Sequence, residues 1–331
     1  MDVLVLGGTH HVGRCVVEQA LARGHSVTTL NRGVSGPPAS GARALHADRL
    51  SRASVAEALG SLTWDAVVDT WSGPAAAVRD AAEELAGRAE HFCYVSSISV
   101  YRWPIPLGVD ESGPVVDADP SSPDSGDYAV CKRGGELAAL EVFGEERCLV
   151  ARPGLILGPY ERVGRLPWWL RRLERGGRVL SPGPRNRPLQ YIDGRDLAAW
   201  ILTSVQRGLG GTFNTVSESG HTSMGELLET ALAVTGSRAE LVWVPPSVIE
   251  EAGIAPWTEL PIWLPPEGEA AALHASDVSA ALAHGLTCRH VAETVSATWS
   301  WLQAEGDPPA LSVGTIGLAR DREEAVLAGV G

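Results

Sequence analysis

The first thirty residues constrain this chain most. Residues 2–6, Asp-Val-Leu-Val-Leu, are an apolar run that reads as a buried strand, and Gly7-Gly8-Thr9-His10-His11-Val12-Gly13 follows at once. Val12 to Arg23 then places Val16, Val17, Ala20 and Leu21 on one helical stripe, and Gly24 closes it in the position of a helix C-cap. His25–Leu30 is rich in β-branched residues and strand-like. A strand, a glycine turn, a helix and a second strand within about thirty residues make a βαβ unit. Such a unit leaves the helix's N-terminal amides at the end of the first strand, where they attract a pyrophosphate.

The alternation continues. Residues 44–46, 65–69, 91–96 and 147–152 read as strands, and 54–62, 74–85 and 125–143 as helices, with a proline-rich acidic loop at 103–124. Strands alternating with helices imply a parallel sheet covered on both faces, an α/β doubly wound fold. From about residue 154 the pattern loosens. Residues 166–175 form a short arginine-rich helix. Strands at 189–192 and 212–216 flank a helix at 194–207, and Ser223 with Glu226 forms a capping box for a helix ending near Gly236. The expected division is a sheet domain of residues 1–154 and 188–218 and a smaller substrate lobe of 155–187 and 219–331.

Composition narrows the function classes. The chain has 331 residues, 44% of them hydrophobic and 20% charged, which excludes disorder as the main state. No apolar run is long enough to cross a membrane, and Met1-Asp2 enters a strand pattern directly, so a cytoplasmic protein is expected. A net charge of −13 argues against nucleic acid as partner and leaves a small-molecule substrate. The five cysteines (15, 93, 131, 148 and 288) are scattered without a CxxC and read as reduced thiols, with no metal site expected.

One count points at chemistry. Of 27 basic residues only Lys132 is a lysine. Four residues upstream lies Tyr128, and on a helix residues i and i+4 share a face. A neighbouring ammonium favours phenolate, so the pair is expected to lower the tyrosine pKa and serve as an acid or base. Upstream, Ser96-Ser97-Ile98-Ser99-Val100-Tyr101 ends a buried strand, where open α/β sheets bind ligands, and Ser97 is placed to bond a substrate oxygen. The glycine loop spacing is G-x-x-H-x-x-G, with His10 in the middle position. Gly7, Thr9, His10, His11, Val12 and Gly13 are the cofactor candidates there. Thr70, Ser96 and Pro153, at or near later strand ends, join them. The second strand ends Leu30-Asn31-Arg32, without the acidic residue that holds a ribose 2′-hydroxyl. Asn31 and Arg32 fit a 2′-phosphate, so NADP(H) is expected ahead of NAD(H). Asp48, after the third strand, is a position for an adenine contact.

These segments, with Arg152-Pro153-x-x-Ile156-x-Gly158-Pro159, resemble the extended short-chain dehydrogenase/reductase superfamily, in its NAD-dependent epimerase/dehydratase branch and with an atypical GGTxxxG loop. Gln190-Tyr191-Ile192-Asp193 and Gly211-Thr212-Phe213-Asn214 fit the later strands of that family. The resemblance implies a Rossmann sheet with a C-terminal substrate lobe, and a catalytic set of Ser97, Tyr128 and Lys132. Tyr128 would transfer the proton, Lys132 would tune it and bind ribose as a further cofactor contact, and Ser97 would orient substrate. Dimerisation through two helices fits the family. Sugar-nucleotide members usually carry an asparagine where this chain has Leu155. Trp71, Tyr101, Trp168 and Arg187 are the expected substrate contacts. The expectation is an NADP(H)-dependent oxidoreductase acting on a carbonyl or alcohol carbon. The alternatives are an epimerase or dehydratase of a sugar nucleotide, or a cofactor-binding regulator or RNA-associated protein without catalysis.

Overall fold

The computed structural model describes residues 1–330 except 35, 37, 38, 125 and 308–315. Its first half delivers the βαβ repeat: β1 (Asp2–Leu6), α1 (His11–Ala22), β2 (Ser26–Asn31), β3 (Arg43–His46), α2 (Arg52–Leu59), β4 (Trp64–Asp69), α3 (Ala75–Leu85), β5 (Ala89–Val95), α4 (Tyr128–Phe143) and β6 (Cys148–Pro153). The helix expected from residue 125 starts at Tyr128, because the Asp127 carboxylate accepts the Val130 amide and caps it there.

The second half adds β7 (Leu155–Leu157), α5 (Arg165–Glu174), β8 (Arg178–Pro182), β9 (Pro188–Leu189), β10 (Tyr191–Asp193), α6 (Gly194–Gln206) and β11 (Gly211–Thr215). Beyond lie β12 (Thr222–Ser223), α7 (Met224–Thr235), β13 (Glu240–Val244), α8 (Pro246–Glu251), α9 (Ser279–Ala283), α10 (Val291–Glu305) and α11 (Arg320–Gly329). The Ser223 hydroxyl accepts the Glu226 amide and starts α7, which ends at Gly236 in the left-handed conformation. The Glu226 carboxylate turns to the Thr222 hydroxyl instead of closing the reciprocal bond of a capping box.

Seven strands form one parallel sheet in the order β11-β6-β5-β4-β1-β2-β3. The order reverses between β1 and β4, which makes the carboxyl ends of those strands the ligand crevice of a doubly wound sheet. Residues such as Val3, Val5, Val68 and Cys93 pack one face against α1 and α6, while Leu4, Val67, Phe92 and Tyr94 pack the other against α2, α3 and α4. A third core belongs to the lobe, joining α5, α7, α10 and α11 with the parallel pair β8–β13. Neither strand of that pair is among those expected from the sequence pattern. Residues 278–286, expected with the lobe, pack instead with α6 and β11 on the sheet. Among the described residues no helix is long and apolar enough to cross a membrane.

Candidate active site

The glycine loop closes the carboxyl end of β1. Gly7 and Gly8 have φ of +124° and +88°, which side-chain-bearing residues rarely adopt. A Cβ on Gly7 would stand 2.6 Å from Thr70 Oγ1, and one on Gly13 2.8 Å from the Gly8 nitrogen. The loop and the first turn of α1 therefore form a cradle that larger residues would fill. Thr70 holds this geometry by donating from Oγ1 to the Leu6 carbonyl, 3.1 Å away. His11 opens α1 at φ +33°, with its Nε2 buried and unpartnered, and burial pushes its pKa down to about 4. The ring is therefore neutral at pH 7.

Below the loop lies a cavity of about 330 Å³, lined by residues 7–13, Thr70, Ser72, residues 95–97, Tyr128, Lys132, Pro153, Gly154 and Ile156. Two chain segments distant from the loop in sequence, the end of β5 and the start of α4, thus bring Ser97, Tyr128 and Lys132 to it. The depth of α4 is set by Gly135, where any Cβ would run into the Tyr94 ring. That close approach buries Lys132, whose Nζ donates to the carbonyls of Trp71 (2.6 Å) and Val95 (2.7 Å). Burial pushes the Lys132 pKa down to about 8, against the attraction of Asp69 and Glu136. Tyr128 is half open to solvent, yet desolvation raises its pKa above the ordinary phenol value, with Ser97 and Arg165 as the opposing neighbours. The expectation of a lowered tyrosine pKa is therefore corrected for the protein itself. Lys132 spends its hydrogen bonds on two carbonyls, and its Nζ lies 5.9 Å from the Tyr128 ring centre.

Several candidates have other duties. The Asn31 amide donates to the Gly7 carbonyl (3.1 Å), and its oxygen accepts the Gly33 amide (2.8 Å), so it braces the loop rather than offering a phosphate contact. Arg32 beside it is exposed. Asp48 accepts the Leu50 amide in its own turn. The Ser96 hydroxyl bonds Glu136 (2.6 Å). Tyr101 is buried, giving its hydroxyl hydrogen to Asn214 (2.7 Å) while accepting from Arg152 (3.2 Å), and it does not line the cavity. Trp168 packs on Trp169 and Gly317, also away from the cavity. Trp71 contributes its carbonyl to Lys132, while its indole donates to the Pro74 carbonyl.

Two buried ion pairs flank Lys132; of their four residues only Arg152 stands out in the sequence, as part of the family segment and not as a site residue. Arg49 forks onto Asp69 at 3.1 and 2.8 Å. Arg152 forks onto Glu136, 2.8 Å to each oxygen. Burial opposes the Glu136 charge, but Arg152, Ser96 and Arg133 hold its pKa below the usual carboxylate range. Glu136 lies four residues after Lys132, one turn along the same helix, and that spacing is the available signal.

The lobe supplies cations of another kind. Arg187 is buried and, among the described residues, reaches only the carbonyls of Leu264 (3.2 Å) and Ala271 (3.4 Å). Arg165 lies over the Trp257 ring at 4.9 Å with its Nε unpartnered. Trp257 adjoins His274, whose pKa burial pushes down to about 4 with Arg187 adding to the effect. These groups are neighbours in a row, Tyr128 to Arg165, Arg165 to Trp257 and Trp257 to His274, and only Tyr128 among them lines the cavity. The Arg165 amide is held by the buried Glu161 carboxylate (2.7 Å), whose pKa burial raises to about 7.

A family model described as "NAD dependent epimerase/dehydratase family" matches residues 3–215. The chain belongs to that family. No curated protein matches this family member in sequence. Among solved structures, the Bordetella bronchiseptica enzyme WbmH in complex with NAD+ has a TM-score of 0.68 at 16% identity, covering 92% of this chain and 99% of WbmH. WbmG of the same organism, in complex with NAD and UDP, has a TM-score of 0.67 at 18% identity over 95% and 98% of the two chains. The Thermus thermophilus UDP-glucose 4-epimerase complex with NAD has a TM-score of 0.64 at 20% identity over 92% and 100%. At these identities the likeness is one of fold. The cradle of Gly7, Gly13 and the α1 amides fits the pyrophosphate of a dinucleotide, and Ser97, Tyr128 and Lys132 line the space beyond it.

Proposed function

We propose that this family member retains a nicotinamide dinucleotide and uses it to oxidise and then re-reduce a hydroxyl-bearing carbon of an anionic substrate, with epimerisation or dehydration as the net reaction. The observation that carries the reading is the convergence of Ser97, Tyr128 and buried Lys132 on the cavity that the glycine loop closes. When bound, the dinucleotide supplies the hydride acceptor and donor. Tyr128 takes the hydroxyl proton as the carbon is oxidised and returns it on reduction. Its raised pKa keeps it protonated in the free protein, so that proton must first pass to solvent, to which the ring is half open; the phenolate left behind is the base, and Ser97 orients the substrate oxygen against it. Lys132 holds its ammonium between two carbonyls, where it favours the phenolate as that forms. Arg165 and Arg187, cations that form no ion pair among the described residues, support an anionic substrate such as a nucleoside diphosphate sugar. Arg32 supports NADP(H) ahead of NAD(H), since Asn31 is committed to the loop and no acid ends β2.

A second reading, a net NADPH-dependent reductase, is favoured by Leu155. It is buried in β7 and has no amide to offer a nucleotide base. Native mass spectrometry of the purified protein, followed by incubation with sugar nucleotides under absorbance at about 340 nm, separates the readings. The proposal expects co-purified dinucleotide and converted sugar without net absorbance change. Stoichiometric loss of NADPH absorbance supports the reductase, and absence of any dinucleotide binding overturns both.

A further inference from the structure

Arg162 lies in the link between β7 and α5, which leads into the lobe. Its Nη1 is 3.0 Å from Nδ1 and 2.5 Å from Nε2 of His10, so the link touches the glycine loop that lines the cavity. His10 stands at the N-cap of α1, lines the cavity and makes no capping bond with its side chain. It occupies the middle position of the G-x-x-H-x-x-G loop. Two sources of positive potential therefore meet at His10: the helix N-terminus and the guanidinium. Among the described residues no carboxylate pairs with Arg162, and the nearby Glu18 is taken by Arg14 (2.7 Å) and Tyr160 (2.9 Å). Burial first, and Arg162 second, hold the His10 pKa below its ordinary value, so the ring serves as an acceptor. A guanidinium has five N–H donors, and the ring engages only part of them.

We propose that Arg162 and His10 form a latch that closes the lobe over the pyrophosphate of the bound dinucleotide. The inference rests on the dinucleotide reading above and adds how the protein holds on to it. The glycine loop binds the anion from the sheet side with backbone amides. Arg162 binds it from the lobe side with charged donors, which make stronger hydrogen bonds than neutral ones. An anion gripped by both lobes leaves slowly, and slow release suits a protein that oxidises and re-reduces its substrate on one cofactor molecule.

The test compares wild type, Arg162→Ala, Arg162→Lys, His10→Gly and the Arg162→Ala/His10→Gly double variant. Calorimetry gives affinity for NAD+, NADP+ and ADP-ribose, stopped-flow gives dissociation rates, and thermal melting confirms the fold. Arg162→Ala is expected to weaken all three ligands alike, by about tenfold or more, mostly through faster dissociation. Equal losses place the contact on the pyrophosphate, the part the three ligands share. Arg162→Lys recovers part of the affinity, and the two substitutions combine less than additively because they remove one contact. Unchanged affinity in folded Arg162→Ala overturns the latch, as does a loss confined to NADP+, which would put Arg162 at the 2′-phosphate. If wild type binds none of the three, the dinucleotide reading falls with it. If wild type binds and the variants match it, only the latch falls.

Discussion

Two pairs of buried arginines, one on the sheet and one in the lobe, are held differently. On the sheet side, Arg49 and Arg152 each fork onto a buried carboxylate, Asp69 and Glu136, and each gives a further bond to a backbone carbonyl, although Arg49 keeps its Nε without a partner among the described residues. In the lobe, Arg172 pairs with the buried Glu323, whereas Arg187 meets two carbonyls and Arg165 leaves its Nε without a partner among the described residues. A buried charge is costly unless it is neutralised nearby. The sheet's cations are neutralised within the fold and hold it together. Arg187 and Arg165 lack such a fork: Arg165 has the charge of the buried Glu161 nearby, and Arg187 has no paired carboxylate among the described residues. Lys132 stands between the two kinds, bonded to carbonyls but flanked by both carboxylates.

The largest effect should come from splitting a paired cation. Glu136→Leu leaves Arg152 buried and unpaired, and about 3–5 kcal/mol of stability should be lost in urea unfolding. Arg152→Leu should cost a similar amount, and the double apolar variant should recover much of it. Because Glu136 has a depressed pKa, its contribution is present above the ordinary carboxylate pKa and fades as pH falls through its folded value. Single variants that lose under about 1 kcal/mol would erase the distinction between the two regions.

Next comes the intermediate case. Tyr128→Phe should cut turnover by about 10²–10⁴-fold with the fold intact. Lys132, with its pKa pushed down to about 8, should give kcat a descending limb near that pH as the ammonium is lost. The same shift has a sign for stability. The unfolded chain holds the proton more tightly, so stability should rise with pH between about 8 and the ordinary lysine value. Lys132→Arg should remove the limb and lower turnover on the order of 10²-fold, since a guanidinium does not fit the two-carbonyl seat. A pH–rate profile of each variant decides it. A limb that persists in Lys132→Arg assigns it to another group.

How much of this is legible in the sequence follows from which interactions are local. The βαβ repeat, the glycine loop and Tyr128–Lys132 are short-range patterns, so the sheet and its crevice can be read directly. Glu136 is local too, one turn from Lys132, but its value lies in Arg152, which is on another strand. Asn31, Ser96 and Tyr101 stand at the expected strand ends, yet tertiary partners claim their side chains: the Gly7 carbonyl, Glu136, and Arg152 with Asn214. Sequence position names the neighbourhood of a side chain but not its hydrogen-bond partner. In the lobe, β8 and β13 pair although they are far apart in the chain, and nothing in either segment announces the other. Arg162 and Arg165 are visible as members of an arginine-rich stretch. What sets them apart is which side of the cleft they meet.

A smaller effect is expected from an unpaired cation. Arg187→Met removes a buried charge that no carboxylate balances, so stability should hold steady or rise slightly. Binding of ADP or UDP, followed by calorimetry, should weaken by about tenfold. A large loss of stability with unchanged nucleotide affinity would move Arg187 into the same class as Arg152.

The smallest effect belongs to Arg32, a cation that is exposed and forms no ion pair among the described residues. It is exposed at the end of β2, and Asn31 beside it braces the loop. Any choice between NADP+ and NAD+ made there must come from one solvated guanidinium. Arg32→Ala should leave the melting temperature unchanged. It should weaken NADP+ by about threefold to tenfold while NAD+ binds as before, the scale of an exposed charge pair. Exposure also makes the preference screenable: the Debye length falls from about 10 Å at 0.1 M salt to about 3 Å at 1 M. Wild-type selectivity should therefore shrink toward that of Arg32→Ala as salt rises, whereas the Arg187 effect, seated in a buried site, should persist. Calorimetry of both nucleotides at low and high salt reads this directly. Equal affinities at low salt in the wild type would show that β2 makes no choice, and would leave the family's NAD as the cofactor.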